Sequence, residues 1–501
     1  MSLRPIAEVA AELGLAQDAL IPWGRDAAKI GLSAVPPAGA PGGKLVLVSA
    51  LSPTGGGEGK TTVSVGLAMG LARIGRRGAL CLRQPSQGPV FGRKGGGTGG
   101  GVAQVEPADS INLHFTGDLH AVGAAHNLLA ALCDSELHFG GSLDPRRTTW
   151  PRVVDVNDRA LRHVVIGLGG ADGGVPRESR FDITPASEVM AALCLSDSLD
   201  DLGARLGKIV VGRTRDDHPV SAADLRAAPA MLALLRDALS PNLVQTREGT
   251  PAFVHGGPFA NIAHGASSVV ATRVALSAAD VVVTEAGFGF DLGGEKFLHL
   301  VAPALGRPPD VLVLVVTLRA LHVHGGGAPG ELDRAAIERG LEHLDHHVKG
   351  ARAFRLEPLL AVNEFPGDPP DLFRLVKSHV VRRGVPVARV TSFVDGGEGA
   401  RALAELVASR IDGVARPAAL PLYAADAPFV EKLERVATTL YAASGVVLTD
   451  AARRDLARFE RWGFGALPPC VAKTPASLSD DPTLLGVPRG RPLTVTGLRL
   501  A

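Results

Sequence analysis

The sequence predicts an α/β fold, a parallel sheet core with helices on both faces and smaller α/β domains towards the C-terminus. Three observations carry this expectation. Short β-branched apolar runs recur without polar alternation, which suits strands buried on both faces. Helical stretches separate most of these runs, giving the strand–helix–strand order of parallel units. A glycine-rich turn lies directly between the first strong run and the helix after it.

In chain order, a short amphipathic helix is expected near residues 4–13. KLVLVSAL, Lys44 to Leu51, is the first buried strand; TTVSVGLAMGLARIG is the helix beyond the glycine turn, and GALCL the next strand. Further strands are expected at RHVVIGL, GKIVVG, PAFVHG, ADVVVTEAG, PDVLVLVV, PLLAVNEF and VPVARVTSF, with helices such as DLRAAPAMLALLRDAL between them. A chain of 501 residues is too long for one ordinary core. At about 150 residues per domain it makes two to four. Breaks are expected near Gly350, where ELDRAAIERGLEHLDHHVKG ends, and between Pro417 and Pro428, which gives domains 1–350, 351–416 and 417–501.

Composition excludes several classes of function. The net charge is +1, so no basic field exists to hold a nucleic acid. No run of 18 or more apolar residues occurs, and the N-terminus lacks the basic-then-apolar order of a secretory leader. The four cysteines form no CxxC pair, so neither a disulfide framework nor a zinc site is expected, and a reducing cytoplasm fits. Aromatics make up 4% of the chain against 61 glycines, a bias towards loops that bring backbone close to a ligand.

The first such loop is LSPTGGGEGKTT. The usual phosphate loop reads GxxxxGK[ST], yet Thr54 stands at its first position. Thr54, Gly55, Gly56, Gly57, Glu58, Gly59, Lys60 and Thr61 are the expected ATP-binding residues. Their backbone N–H groups and the helix N-terminus favour phosphates, Lys60 reaches the outer ones, and Thr61 is a Mg²⁺ ligand. A P-loop NTPase-like core follows. GALCL delivers Arg83 to the carboxyl edge of the same sheet, where a guanidinium can clamp a second anion. INLHFTGDLHAVGAAHN supplies His114, Asp118 and His120 for proton handling, at spacings that match no zinc site. HGGPFANIAHG and TEAGFGFDLGGEKF follow apolar strands; Glu285 and Asp291 fit either a crevice lining or ordinary connection chemistry. Phe365 and Phe393 each follow a strand, and two rings so placed can hold a flat heterocycle.

With these residues in hand, the chain resembles formate–tetrahydrofolate ligase, or formyltetrahydrofolate synthetase. TGGGEGKTT, PSQGPVFGRKGG, NLHFTGDLHA, NDRALR, GVPRESRFDIT, ASEVMAALCL, PNLVQTREGTPAFVHGGPFANIAHG, VVTEAGFGFDLGGEKF, LHVHGG and SLSDDPTLLG match in order. The family's loop also carries threonine at its first position. The resemblance implies a C–N-bond-forming ligase that converts ATP, formate and tetrahydrofolate to ADP, phosphate and 10-formyltetrahydrofolate through formyl phosphate. It implies that Lys60 stabilises the transferring phosphoryl group, Arg83 holds formyl phosphate, Phe365 covers one face of the pterin and Phe393 stands where the family usually has tryptophan. A homotetramer and a monovalent-cation activator are implied as well. The chain departs from the family at Gln84, where a glutamate is usual, and at Pro475 and Ala476 in KTPAS, where an amide and an aromatic ring are usual. It also ends about fifty to sixty residues early; these departures bear on folate affinity, subunit packing and turnover and leave the ATP and formyl phosphate residues intact.

Two alternatives belong to other classes. A nucleotide-dependent switch would need an aspartate after a strand, whereas Asp310 precedes PDVLVLVV's apolar run and NEFPGD lacks the lysine of a guanine-reading loop. A degenerate family member without ligase activity is favoured by the short C-terminus and opposed by Lys60 and Arg83.

Overall fold

A computed structural model of the chain describes residues 3–37, 39–40, 42–55, 57–91, 97–328, 330–413 and 419–500. Helix α1 (Ile6–Glu12) precedes β1 (Leu20–Trp23), β2 (Ala27–Ile30) and β3 (Lys44–Ala50); α2 (Lys60–Arg73), β4 (Gly78–Leu82), β5 (Gly99–Gly100) and β6 (Ala103–Glu106) follow. A mainly helical insertion carries α3 (Asp118–His138), α4 (Glu188–Leu195) and α5 (Ala228–Leu235) before the chain returns in β7 (Asn242–Thr246) and β8 (Pro251–Val254). Next come α6 (Val269–Ala278), β9 (Val281–Glu285), β10 (Val311–Val316), α7 (Arg334–Ala353), β11 (Leu359–Asn363), β12 (Val387–Val390) and α8 (Arg401–Gly413).

Among the described residues these twelve strands make one sheet in the order β1-β2-β7-β8-β4-β9-β3-β10-β11-β12, with β6 on β7 and β5 on β6. From β8 to β12 every pairing is parallel, so all those strands end at one edge. β1, β2, β7 and the β5–β6 ribbon pair antiparallel, so the expected parallel core is one part of a mixed sheet. The apolar runs fill both faces. In β3, Leu45 and Leu47 enter one core with α6 and α7, while Val46 and Val48 enter another with α2 and α8. A third core lies within the insertion and unites α3, α4 and α5.

Two expected strands lie outside the sheet. Val164–Ile166 pairs with Arg177–Ser179 in a surface hairpin that leaves Val165 exposed, and Val210–Arg213 pairs with Pro219–Ser221 over the third core. Each belongs to a two-stranded sheet of its own. Across the break expected near Gly350 the sheet continues: β11 pairs with β10 from Val313↔Leu359 to Val316↔Val362, and β12 pairs with β11. Beyond residue 419, Leu433, Val436, Leu440 and Tyr441 enter the same core as α6 and α7. Pro417 itself lies outside the described residues.

Several histidines are load carriers of this interior. His126 contacts Ser187 Oγ and the Pro151 carbonyl, His255 contacts Ser268 Oγ and the Ala238 carbonyl, and His347 lies against Ser52. Burial lowers His126 and His255 to about 4 and His347 to about 3. Because these folded values lie below the ordinary 6.5, the unfolded chain takes up protons first as pH falls. The stability is therefore complete above about pH 6.5 and is lost on acidification towards the folded values, about 2 kcal/mol per histidine at pH 5. The urea midpoint is expected to drop between pH 7 and pH 5; a midpoint constant over that range would contradict the neutral, buried rings.

Candidate active site

The parallel strands aim their carboxyl ends at one edge, and the site forms there. After β3, Gly59 adopts φ +64 at the start of α2, and a Cβ at that position would come within 2.3 Å of the Asn363 side-chain nitrogen. Only glycine fits both demands. The loop is held by Glu58, whose buried carboxylate accepts from the Thr54 N–H and hydroxyl, both at 3.0 Å, and from the Thr317 hydroxyl at 2.5 Å. Thr54 thus has a task that glycine could not perform in full. The Glu58 side chain faces the protein, and its backbone carbonyl accepts from Asn363 Nδ2 at 3.0 Å. Gly56 lies outside the described residues.

Residues 285–288, after β9, join the loop to Arg83. The Thr61 hydroxyl donates to the Glu285 carboxylate at 3.0 and 3.2 Å. Gly287 packs under the Arg83 guanidinium, with both terminal nitrogens 3.1 Å from where its Cβ would stand. Lys60 Nζ donates to the Phe288 carbonyl at 2.7 Å, and Phe288 holds φ +57. That left-handed backbone is rare for a bulky residue and marks stored strain, spent here on aiming a carbonyl at Lys60. Arg83 also donates to the Pro258 carbonyl at 2.9 Å. Burial lowers its pKa while Glu285 acts in the opposite sense. One hydroxyl beside one buried carboxylate is a hard-oxygen set that fits a Mg²⁺ arriving with a nucleotide.

The proton-handling candidates separate. Asp118 begins α3 as half of a buried ion pair: Lys29 Nζ is 2.7 Å from one oxygen, and Asn242 Nδ2 donates to the other at 2.7 Å. Both oxygens are engaged, which makes the residue a structural anchor between α3, β2 and β7. His120 is exposed in the first turn of α3. His114 is exposed and 3.2 Å from Gln87 Nε2, in a cluster where Asp155 accepts from Ser86 Oγ at 2.6 Å and from the Gln87 N–H at 3.1 Å. Burial raises the pKa of Asp155. Gln84 is buried, and its backbone N–H donates to the Gly256 carbonyl at 2.5 Å.

Phe365 and Phe393 follow the adjacent strands β11 and β12. Phe365 is half-buried with the Arg319 guanidinium 4.4 Å above its ring; Phe393 is half-exposed beside Gly100 and Gly101. Asp291, from the second glycine loop, pairs at 3.0 Å with Lys473, both fully buried, and Lys296 donates to the Val471 carbonyl at 2.8 Å. The KTPAS segment is therefore bolted to the loop after β9 despite Pro475 and Ala476. Sequence reasoning missed the roles of Phe288 and Arg319; its one available signal for Glu285 was a carboxylate closing an apolar strand.

A family model described as formate–tetrahydrofolate ligase matches residues 1–501. The chain is 53% identical over 508 residues to the formate–tetrahydrofolate ligase of Myxococcus xanthus, covering 100% of this chain and 92% of that protein. It is 51% identical to the one from Hyphomonas neptunium, covering 99% and 90%, and 52% identical to the one from a Nocardioides species, covering 100% and 91%. On that similarity the chain belongs to the formate–tetrahydrofolate ligase family.

Proposed function

We propose that the edge around residues 285–288 is where this chain carries out its family's ligation, joining formate to tetrahydrofolate with ATP to give 10-formyltetrahydrofolate, ADP and phosphate. The observation that carries the reading is the convergence of Thr61, Lys60 and Arg83 on one four-residue segment. Backbone N–H groups of 54–61 hold the ATP phosphates. Thr61 and Glu285 would hold Mg²⁺, which when bound supplies charge neutralisation at the phosphates. Formate oxygen attacks the γ-phosphorus, the bond to ADP breaks, and formyl phosphate forms. Lys60 leaves the Phe288 carbonyl to meet the transferring group, since catalysis of phosphoryl transfer is chiefly positioning and charge. Arg83 holds the acyl phosphate, and its buried setting keeps out water that would hydrolyse it.

The rings of Phe365 and Phe393 receive the pterin, with Arg319 displaced or stacked behind Phe365. Neutral Gln84 takes no proton from the folate amine. The exposed apolar side chains Phe139 and Leu168 support a homo-oligomer, and the four free cysteines support a cytoplasmic enzyme. No helix among the described residues is long and apolar enough to cross a membrane. A monovalent cation as activator comes from the family resemblance.

The test is Phe365→Ala, assayed by acidifying the product and reading 5,10-methenyltetrahydrofolate absorbance. The KM for tetrahydrofolate is expected to rise about tenfold with the KM for ATP unchanged, the worth of one aromatic stacking face. An unaltered KM for tetrahydrofolate would remove Phe365 from the folate site.

A further inference from the structure

Buried polar atoms without hydrogen-bond partners occur on Arg83 and in the segment that packs beside it. They include Arg83 Nε, Asn261 Oδ1 and both ring nitrogens of His264. Such atoms are rare in a folded interior, and each asks for a partner. The backbone brings them together: the Pro258 carbonyl accepts from Arg83, Gly265 packs on Ala260, and the Gly265 carbonyl accepts from the N–H of Gly287, the glycine under the guanidinium. Residues 258–265 are thus wrapped around Arg83.

His264 is 2% exposed. Burial holds the ring neutral, lowered to about 3, and among charged groups Arg83 acts on it most, ahead of Lys296 and Arg205. The Ala191 carbonyl lies beside the ring but outside hydrogen-bond geometry, so the single N–H of the neutral imidazole is uncommitted. A neutral donor next to a cationic one suits an oxygen that gains negative charge during reaction.

We infer that Arg83 and His264 form an acyl-oxygen pocket, in which the Arg83 Nε–H and the His264 N–H both donate to the carbonyl oxygen of the formyl group. The amine lone pair of tetrahydrofolate forms the C–N bond as the carbonyl π pair moves onto that oxygen. Collapse returns the pair and breaks the bond between carbon and the phosphate oxygen. The phosphate leaves with that bonding pair and takes up the amine proton as hydrogen phosphate. His264 is a catalytic residue of the second step and has no part in making formyl phosphate.

The inference rests on the placement of formyl phosphate at Arg83, and the experiment separates the two. Formate-dependent positional isotope exchange in ATP reports formation of formyl phosphate; product absorbance reports transfer. His264→Leu is expected to keep exchange within about threefold of wild type and to lose about a hundredfold in transfer, the scale of one oxyanion donor. His264→Gln, which keeps an N–H, is expected to recover at least about tenfold of that loss. Transfer within threefold of wild type in His264→Leu, or equal losses of exchange and transfer, would overturn the role. Should His264→Leu fail to fold, His264→Gln against His264→Glu decides: faster transfer in the amide supports the donor, and equal rates overturn it. Arg83→Ala retaining both exchange and transfer would instead overturn the placement at Arg83.

Discussion

Lys60→Ala loses at least about a thousandfold in product formation, the scale on which a cation contacting the transferring phosphoryl group acts. Lys60 stands at the first position of α2 and reaches across to the strained Phe288 carbonyl. The alanine variant keeps the loop, because Glu58, Thr54, Thr317 and Asn363 hold it without Lys60. ATP binding should weaken far less than turnover. Formate-dependent ADP release, measured with and without tetrahydrofolate, checks this, since both rates should collapse together. Normal ADP release with formate would remove Lys60 from the phosphoryl step.

Asp118→Ala is the second large effect, and it falls on folding. The Lys29–Asp118 pair is buried on both sides, with Lys29 also donating to the Ser240 carbonyl and Asn242 bonding Asp118, Thr116 and the Val254 carbonyl. Removing the carboxylate leaves a buried ammonium with no counter-charge, at a cost of about 3–5 kcal/mol. Lys29→Met with Asp118→Leu should recover most of that loss, because replacing the whole pair removes both charges. Urea denaturation reads the loss and the recovery. A variant Asp118→Ala with a wild-type midpoint and no product would restore the proton-handling role expected from the sequence.

Legibility from the sequence varied with the kind of interaction that decides each feature. β3, β4 and β8 to β12 were readable because a strand covered on both faces must be apolar along its length, and the runs from Val281 and Val311 show it. β7 was harder: Asn242, Gln245 and Thr246 are fully buried in it, and the first two are satisfied by Asp118 and Arg4, partners far away in sequence. The surface hairpin at Val164–Ile166 has the residues of a strand but no neighbour in the sheet. The break expected near Gly350 comes from the end of a helical pattern, whereas the helix runs on to Ala353 and the membership of β11 depends on pairing with β10 across more than forty residues.

The site divides in the same way. By itself the sequence determined the glycine turn, the lysine and threonine at the helix start, and the arginine at a strand end, because local backbone chemistry demands those residue types in that order. Only the tertiary structure decided which of these side chains are committed to other groups of the protein. Asp118 and Glu58 have the chemistry of active-site acids, yet Lys29 and Thr317, each distant in the chain, turn them into anchors. Phe288 and His264 sit in glycine-bearing stretches that gave neither of them a task; a strained carbonyl and an uncommitted imidazole acquire meaning from what the fold sets beside them, Lys60 and Arg83. Proximity between remote segments follows from packing and pairing over the whole sheet, which no local pattern encodes.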